Sequence, residues 1–144
     1  MERTSTFRER QPGRSRPPET ARADDTPLLD FQMIEELRQL DEGEGFFLRE
    51  LITAFLDHAG ELMQQLARAR EQGDRYGVVG AVHGLKGASL NMGALALGAY
   101  CRNLERQLRA NPRADLDGAM QTLLYLYDRS CQALKALGDT ADAP

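Results

Sequence analysis

Residues 74–93 read DRYGVVGAVHGLKGASLNMG. Asp74 has the short carboxylate that caps a helix N-terminus, and Gly93 suits the left-handed turn that ends one. No proline lies between them, so the stretch predicts a helix from Asp74 to about Asn91. At about 100° per residue, with His83 at zero, Val78, Val82, Leu85 and Ser89 cluster at roughly −100° to −160°. That cluster is the predicted buried stripe. His83 stands more than about 90° from its centre, so the imidazole is expected on the solvent side or at the edge of a partner surface. A lone histidine is more often a hydrogen-bonded structural residue, but here other residues already supply the core.

The two flanks of His83 differ. On one side Gly80, Gly84 and Gly87 fall at roughly +40° to +100°. Each costs about 1 kcal/mol relative to Ala inside a helix. Three missing Cβ atoms leave either a smooth shelf beside the imidazole or close packing on a neighbouring helix, and sequence alone weighs these equally. On the other side Lys86 lies one turn away, at i+3. It is one of only two lysines against sixteen arginines. An ammonium here is either an ordinary solvated charge or a compact counter-charge for an anion. Tyr76, Val79 and Leu90 lie within about 40° of His83 and suggest an apolar docking patch.

Outward from this helix the pattern stays helical. Asp30 caps a predicted short helix with Phe31, Ile34 and Leu37 on one stripe, and DEGEG at 41–45 breaks it. FFLRELITAFLDHAGELMQQLARAREQG (46–73) repeats Leu48, Leu51, Ile52, Phe55, Leu62 and Leu66 at threes and fours, with Gly73 as its stop. ALALGAYCRNLERQLRA (94–110) is expected to bury Leu97, Cys101, Leu104 and Leu108, with Asn111-Pro112 breaking it. The last helix is expected to bury Leu116, Met120, Leu123, Tyr127, Leu134 and Leu137. Four long amphipathic helices with short links predict an all-α fold. It is an up-down four-helix bundle with a short extra N-terminal helix and a disordered N-terminal tail.

The chain's 144 residues suit one domain. Residues 1–22 hold six arginines against three glutamates, a charge of +3, which leaves −7 for the rest of a chain whose net charge is −4. Pro12, Pro17, Pro18 and Pro27 crowd the same end. The expected division is a basic Pro/Arg-rich tail over 1–27, the bundle over 28–138 and a disordered C-terminus over 139–144. The tail is diluted by acids and has Phe7 as its lone aromatic, which argues against a nucleic-acid arm. No apolar run reaches the length of a membrane span and no apolar signal core opens the chain, so a cytoplasmic protein is expected. Cys101 and Cys131 have no CxxC and no nearby His, and read as reduced thiols in helical cores. His58 and His83 form no i, i+4 pair, so no metal site is expected. His58 reads as a partly exposed structural residue, and the marks of a nucleotide site are absent.

The string AVHGLKGASLNMGALALGAYCRNLE (81–105) resembles the histidine-containing phosphotransfer (HPt) domains of multistep phosphorelays. Their pattern is H-x-L-K-G, a Gly-Ala about ten residues on, then C-x-x-L-E. Here these are His83, Leu85, Lys86, Gly87, Gly93, Ala94, Cys101, Leu104 and Glu105, without gaps. The matching helix pattern spans about Leu28 to Leu137. The resemblance implies a four-helix bundle with a short helix laid on it, phosphorylation of a ring nitrogen of His83, charge balance from Lys86 and access at Gly87. Arg109 is similar in position to a basic residue that approaches the site in some members. Gly84 departs from the pattern, since a small hydroxyl residue is common there.

A neutral imidazole is a competent nucleophile near pH 7, and attack on an aspartyl phosphate yields phosphohistidine. No carboxylate cluster surrounds His83 in sequence, so no cofactor is expected on this chain, and Mg²⁺ is expected in the partner. The expected partners are the receiver domain of a hybrid sensor histidine kinase and that of a response regulator, with neither membrane nor nucleic acid. A monomer suffices for the chemistry. A self-acting kinase is disfavoured as an expectation, because Gly84 rather than an acid follows His83 and only helices and a short C-terminal tail follow in this sequence. The competing reading is a helical module that docks on receiver domains without being phosphorylated.

Overall fold

The computed structural model describes residues 26–41, 45–111 and 113–141. The tail expected over 1–27 falls almost wholly outside these, as do residues 42–44 of the DEGEG break and the last three residues. Five helices follow in order: α1 (Phe31–Gln39), α2 (Phe46–Glu71), α3 (Arg75–Met92), α4 (Leu95–Ala110) and α5 (Asp117–Ala141). α2 packs on α3, α3 on α4, α4 on α5 and α5 back on α2, which closes a four-helix ring. The short links make neighbours antiparallel, as the amphipathic pattern predicts. α5 continues to Ala141, past the boundary expected at residue 138. No described helix is long and apolar enough to cross a membrane.

The helix ends are set by local chemistry. Asp74 serves two helices at once. Its N–H bonds the Ala69 carbonyl at 2.8 Å to close α2, and its carboxylate accepts from Gly77 N–H at 2.9 Å to open α3. At the other end of α3, Gly93 adopts φ 84, and Ala94 N–H reaches the Ser89 carbonyl at 2.8 Å. Gly93 meets a second demand, since a Cβ there would lie 3.3 Å from Ile34 Cγ1. α1 therefore sits directly on the α3–α4 turn. Asp30 N–H bonds the Gly93 carbonyl at 2.8 Å while the Asp30 carboxylate caps α1 at Met33 N–H.

The α2 start shows a device that the sequence pattern did not reveal. Gly45 (φ 73) precedes the helix without a capping side chain. Asp41, 8% exposed, reaches forward so that its carboxylate accepts from Phe47 N–H at 3.1 Å and Leu48 N–H at 3.2 Å. It thereby satisfies two donors that the helix leaves unpaired.

The core is made by the expected stripes, with differences at their edges. Val78, Val82, Leu85 and Ser89 are all at most 1% exposed. Phe31, expected on the α1 stripe with Ile34, is instead 65% exposed, because α1 touches the bundle along a narrow line centred on Ile34. In α5, Leu123, Leu126 and Leu134 are buried, while Met120, Tyr127 and Leu137, with Leu116 just before the helix, only pack against the core edge. Leu126 was absent from the expected stripe. Cys101 is a buried free thiol, whereas Cys131 is half-buried rather than in the core.

Candidate functional site

The α3–α4 seam brings the site together. α3 is held by Asp74 at one end and Gly93 at the other, and its buried stripe fixes its rotation. That rotation turns His83 outward, with its side chain 60% exposed. Lys86 follows one turn later on the same side. From α4, Glu105 and Arg109 lie one turn apart on the flank facing them.

Glu105 is the hub. Its Oε2 lies 3.0 Å from His83 Nδ1 and its Oε1 2.8 Å from Lys86 Nζ. Arg109 donates to Oε2 from Nη2 at 2.8 Å and from Nε at 3.0 Å. The carboxylate is mostly buried, with its side chain 9% exposed, so each bond is made in a partly water-excluded setting. The bond to Lys86 pulls its carboxyl down most. Burial pushes it back up, and the bonds to Arg109 and His83 add to the fall, which ends at about 2.

An ionised carboxylate can only accept hydrogen bonds. His83 Nδ1 must therefore be the N–H donor, which leaves the lone pair of the neutral ring on Nε2. Nε2 has no bonded partner among the described residues. The sequence carried Glu105 only as the last letter of C-x-x-L-E. The physical signal available there was an acid at i+4 from Cys101, on the edge of a buried stripe, with Arg109 four residues beyond it. Cys101, one turn before Glu105, is fully buried. Burial, and then the Glu105 charge, push its thiol up to about 12, so it stays neutral beside the site.

The glycines divide. A Cβ at Gly80 or Gly87 would meet nothing within 4 Å, so both leave open surface beside His83. Gly84 does not belong to that shelf. A Cβ there would sit 2.9 Å from Leu62 Cδ2, so Gly84 serves the close approach of α3 to α2. Its angle on the helix was close to that of the other two, but α2 covers it.

The apolar surround also divides. Tyr76 is 92% exposed and Val79 is half-buried. Together with Arg75, Leu108 and Arg109 they line a cleft one turn from His83. Leu90 turns away from the expected patch. It lies over Gly98 of α4, where its Cδ2 comes within 2.5 Å of the place a Cβ would occupy. Leu90, half-buried, thus helps lock α3 onto α4. His58 is exposed on α2, beside Leu51, Ala54, Phe55, Ala88, Asn91 and Met92, with no part in this cluster.

The comparisons with known proteins agree with this arrangement. The Hpt domain family model matches residues 50–137, a span holding α3, α4 and most of α2 and α5. Among solved structures, the chain is similar to the crystal structure of histidine-containing phosphotransfer protein B (HptB) from Pseudomonas aeruginosa PAO1. It is 27% identical to that protein, covering 81% of this chain and 95% of that one at a TM-score of 0.64. No match is found among curated proteins. From a bundle of this topology, matched by the family model over more than half its length, it follows that the chain belongs to the Hpt domain family.

Proposed function

We propose that the chain is a phosphocarrier. His83 accepts a phosphoryl group from the aspartyl phosphate of a hybrid kinase's receiver domain and passes it to the receiver of a response regulator. The coarser part of this reading rests on the family: Hpt domains work in phosphorelays with receiver domains. The residue-level part rests chiefly on one observation. His83 is exposed, and its Nδ1 is engaged by an ionised carboxylate, so its lone pair is presented to solvent on Nε2.

The step is an in-line displacement. The Nε2 lone pair attacks phosphorus, the bond from phosphorus to the aspartyl oxygen breaks, and the receiver's carboxylate leaves with that electron pair. Such transfers need alignment and charge balance more than covalent machinery. Lys86 and Arg109 lie beside the ring to supply positive charge. The open surface at Gly80 and Gly87 and the cleft at Tyr76 and Val79 provide room and contact for docking. The partner supplies Mg²⁺ with its aspartate.

The test is direct. H83Q is expected to keep the helical content of the parent and to take no label from a phosphorylated receiver. Label on H83Q at the parent level would move the acceptor to another residue, and a parent that takes no label would leave a docking module without phosphorylation as the better reading.

A further inference from the structure

The seams of the bundle are not equally filled. Leu62 presses on Gly84 in the α2–α3 seam, and Leu90 on Gly98 in the α3–α4 seam. The α2–α5 seam lies across the ring from His83, and it gapes. Tyr127 closes one end, its hydroxyl 3.6 Å from where a Cβ of Gly60 would stand. Arg70 and Asp117 close the other end as an ion pair. Between these ends runs an open groove of about 730 Å³. At the helical rise its length is roughly 15 Å.

Met63, Ala67, Met120 and Leu124 line the groove, with Gln64 and Gln121 beside them. The gap has a cause in the sequence. Ala67 has nothing beyond Cβ to reach across to α5, and the two methionines are unbranched and adapt to whatever lies against them. Next to this hollow stands a projection. Leu124 is 50% exposed and Tyr125 56% exposed. Among the described residues of α3, α4 and α5, the large apolar side chains left exposed are these two and Tyr76, beside His83. A hollow and a projection on one face are what a two-fold contact requires, since each copy must offer both.

We propose that the α2–α5 face binds a second copy of this chain about a two-fold axis, with Leu124 of each copy seated in the groove of the other.

Charge selects the occupant. A two-fold contact sets a face against its own image, so a face of one sign repels itself. The outer face of α4 carries Arg102, Arg106 and Arg109, all exposed, and its acid Glu105 is buried. The outer face of α2 carries exposed Glu50, Asp57 and Glu61 along one stripe. Neither suits a second copy. The α2–α5 face is balanced instead. Arg70 stands with Asp117, Gln64 and Gln121 are uncharged, and Asp128 and Arg129 follow one turn beyond Leu124. Each charge can meet its opposite on the second copy. The assignment does not depend on phosphorylation of His83. It leaves both α3–α4 seams facing outward, so each copy keeps an open site.

Sedimentation equilibrium of the full chain tests this. The average mass is expected to rise from one chain toward two between about 1 µM and about 200 µM. L124E would set an unpaired carboxylate in an apolar groove, and its dimer is expected to be at least about tenfold weaker. Its helical content is expected to match the parent. A readout on the parent needs no variant. In an equal mixture of isotope-labelled and unlabelled chain, filtered NMR is expected to show cross-peaks from Leu124 methyls of one copy to Met63 and Met120 methyls of the other. A parent that stays monomeric across the range, or a dimer without those cross-peaks, would overturn the proposal. Cross-peaks from the groove to residues 1–25 of the same chain would give it to that segment instead. Phosphoryl acceptance by L124E is expected to equal the parent's, and a clear fall would put receiver docking on this face in place of a second copy.

Discussion

Lys86 reaches its ammonium to Glu105 at 2.8 Å, although its i+3 spacing had placed it simply beside His83. The two descriptions are compatible, since a lysine one turn from His83 and bonded to the same carboxylate is held near where an incoming phosphoryl group needs positive charge. Lys86→Ala is expected to slow phosphoryl acceptance by about tenfold or more, as loss of one preorganised charge partner commonly does. Labelling kinetics against a phosphorylated receiver measure this, and unchanged rates in both directions would remove Lys86 from the chemistry. At this scale the outward direction of His83 was legible in the sequence, because four buried positions on the same helix fix its rotation. The partner of its Nδ1 was not. Glu105 is 22 residues away on another helix, and periodicity within α3 says nothing about which residue of α4 lies opposite.

At the scale of the helix, the three glycines of α3 that flank His83 have separable roles. Gly80 and Gly87 have no neighbour where a Cβ would stand, so Ala there gains helix propensity without a clash. Gly80→Ala is expected to raise stability in urea by about 0.5–1 kcal/mol. The added methyl stands beside His83, so slower phosphoryl transfer is expected along with the gain. Gly84→Ala meets Leu62 Cδ2 at 2.9 Å inside a packed seam, and overpacking of this kind typically costs about 1–3 kcal/mol. The propensity gain is offset, and G84A is expected to be no more stable than the parent, and less stable than G80A. A G84A that gains as much as G80A would show that the α2–α3 contact yields freely. Sequence could not separate these glycines. They lie within about 60° of one another on the helix, and only the placement of α2 distinguishes them.

For the whole molecule, Glu105 couples charge at the site to the stability of the bundle. Its carboxyl sits at about 2 in the folded chain, below the value of about 4.3 for an unperturbed glutamate. A depressed acid stabilises the fold fully above the unfolded value, and that contribution fades as pH falls toward the folded one. Urea midpoints are therefore expected to drop between about pH 4 and about pH 2. E105Q, which has no such proton to bind, is expected to show a shallower decline over the same window. Equal slopes for the two proteins would mean that the links from Glu105 to α3 contribute nothing to the folded state. The site lies along the α3–α4 seam, away from the turn that α1 covers, so the outer face of that seam stays open while α1 closes one end of the bundle.

The all-helical class, the order of the five helices, most core stripes and the exposure of His83 were already determined by the amino-acid sequence. They depend on local rules: periodic apolar spacing, caps at Asp30 and Asp74, and stops at Gly73 and Gly93. Tertiary structure alone decided that Asp41 starts α2 from a distance, that Gly84 and Leu90 serve helix contacts, and that Glu105 gathers His83, Lys86 and Arg109. Those outcomes depend on how far one helix slides and turns against the next. A one-dimensional pattern specifies which face of each helix is apolar, but not which individual side chains meet when two faces close.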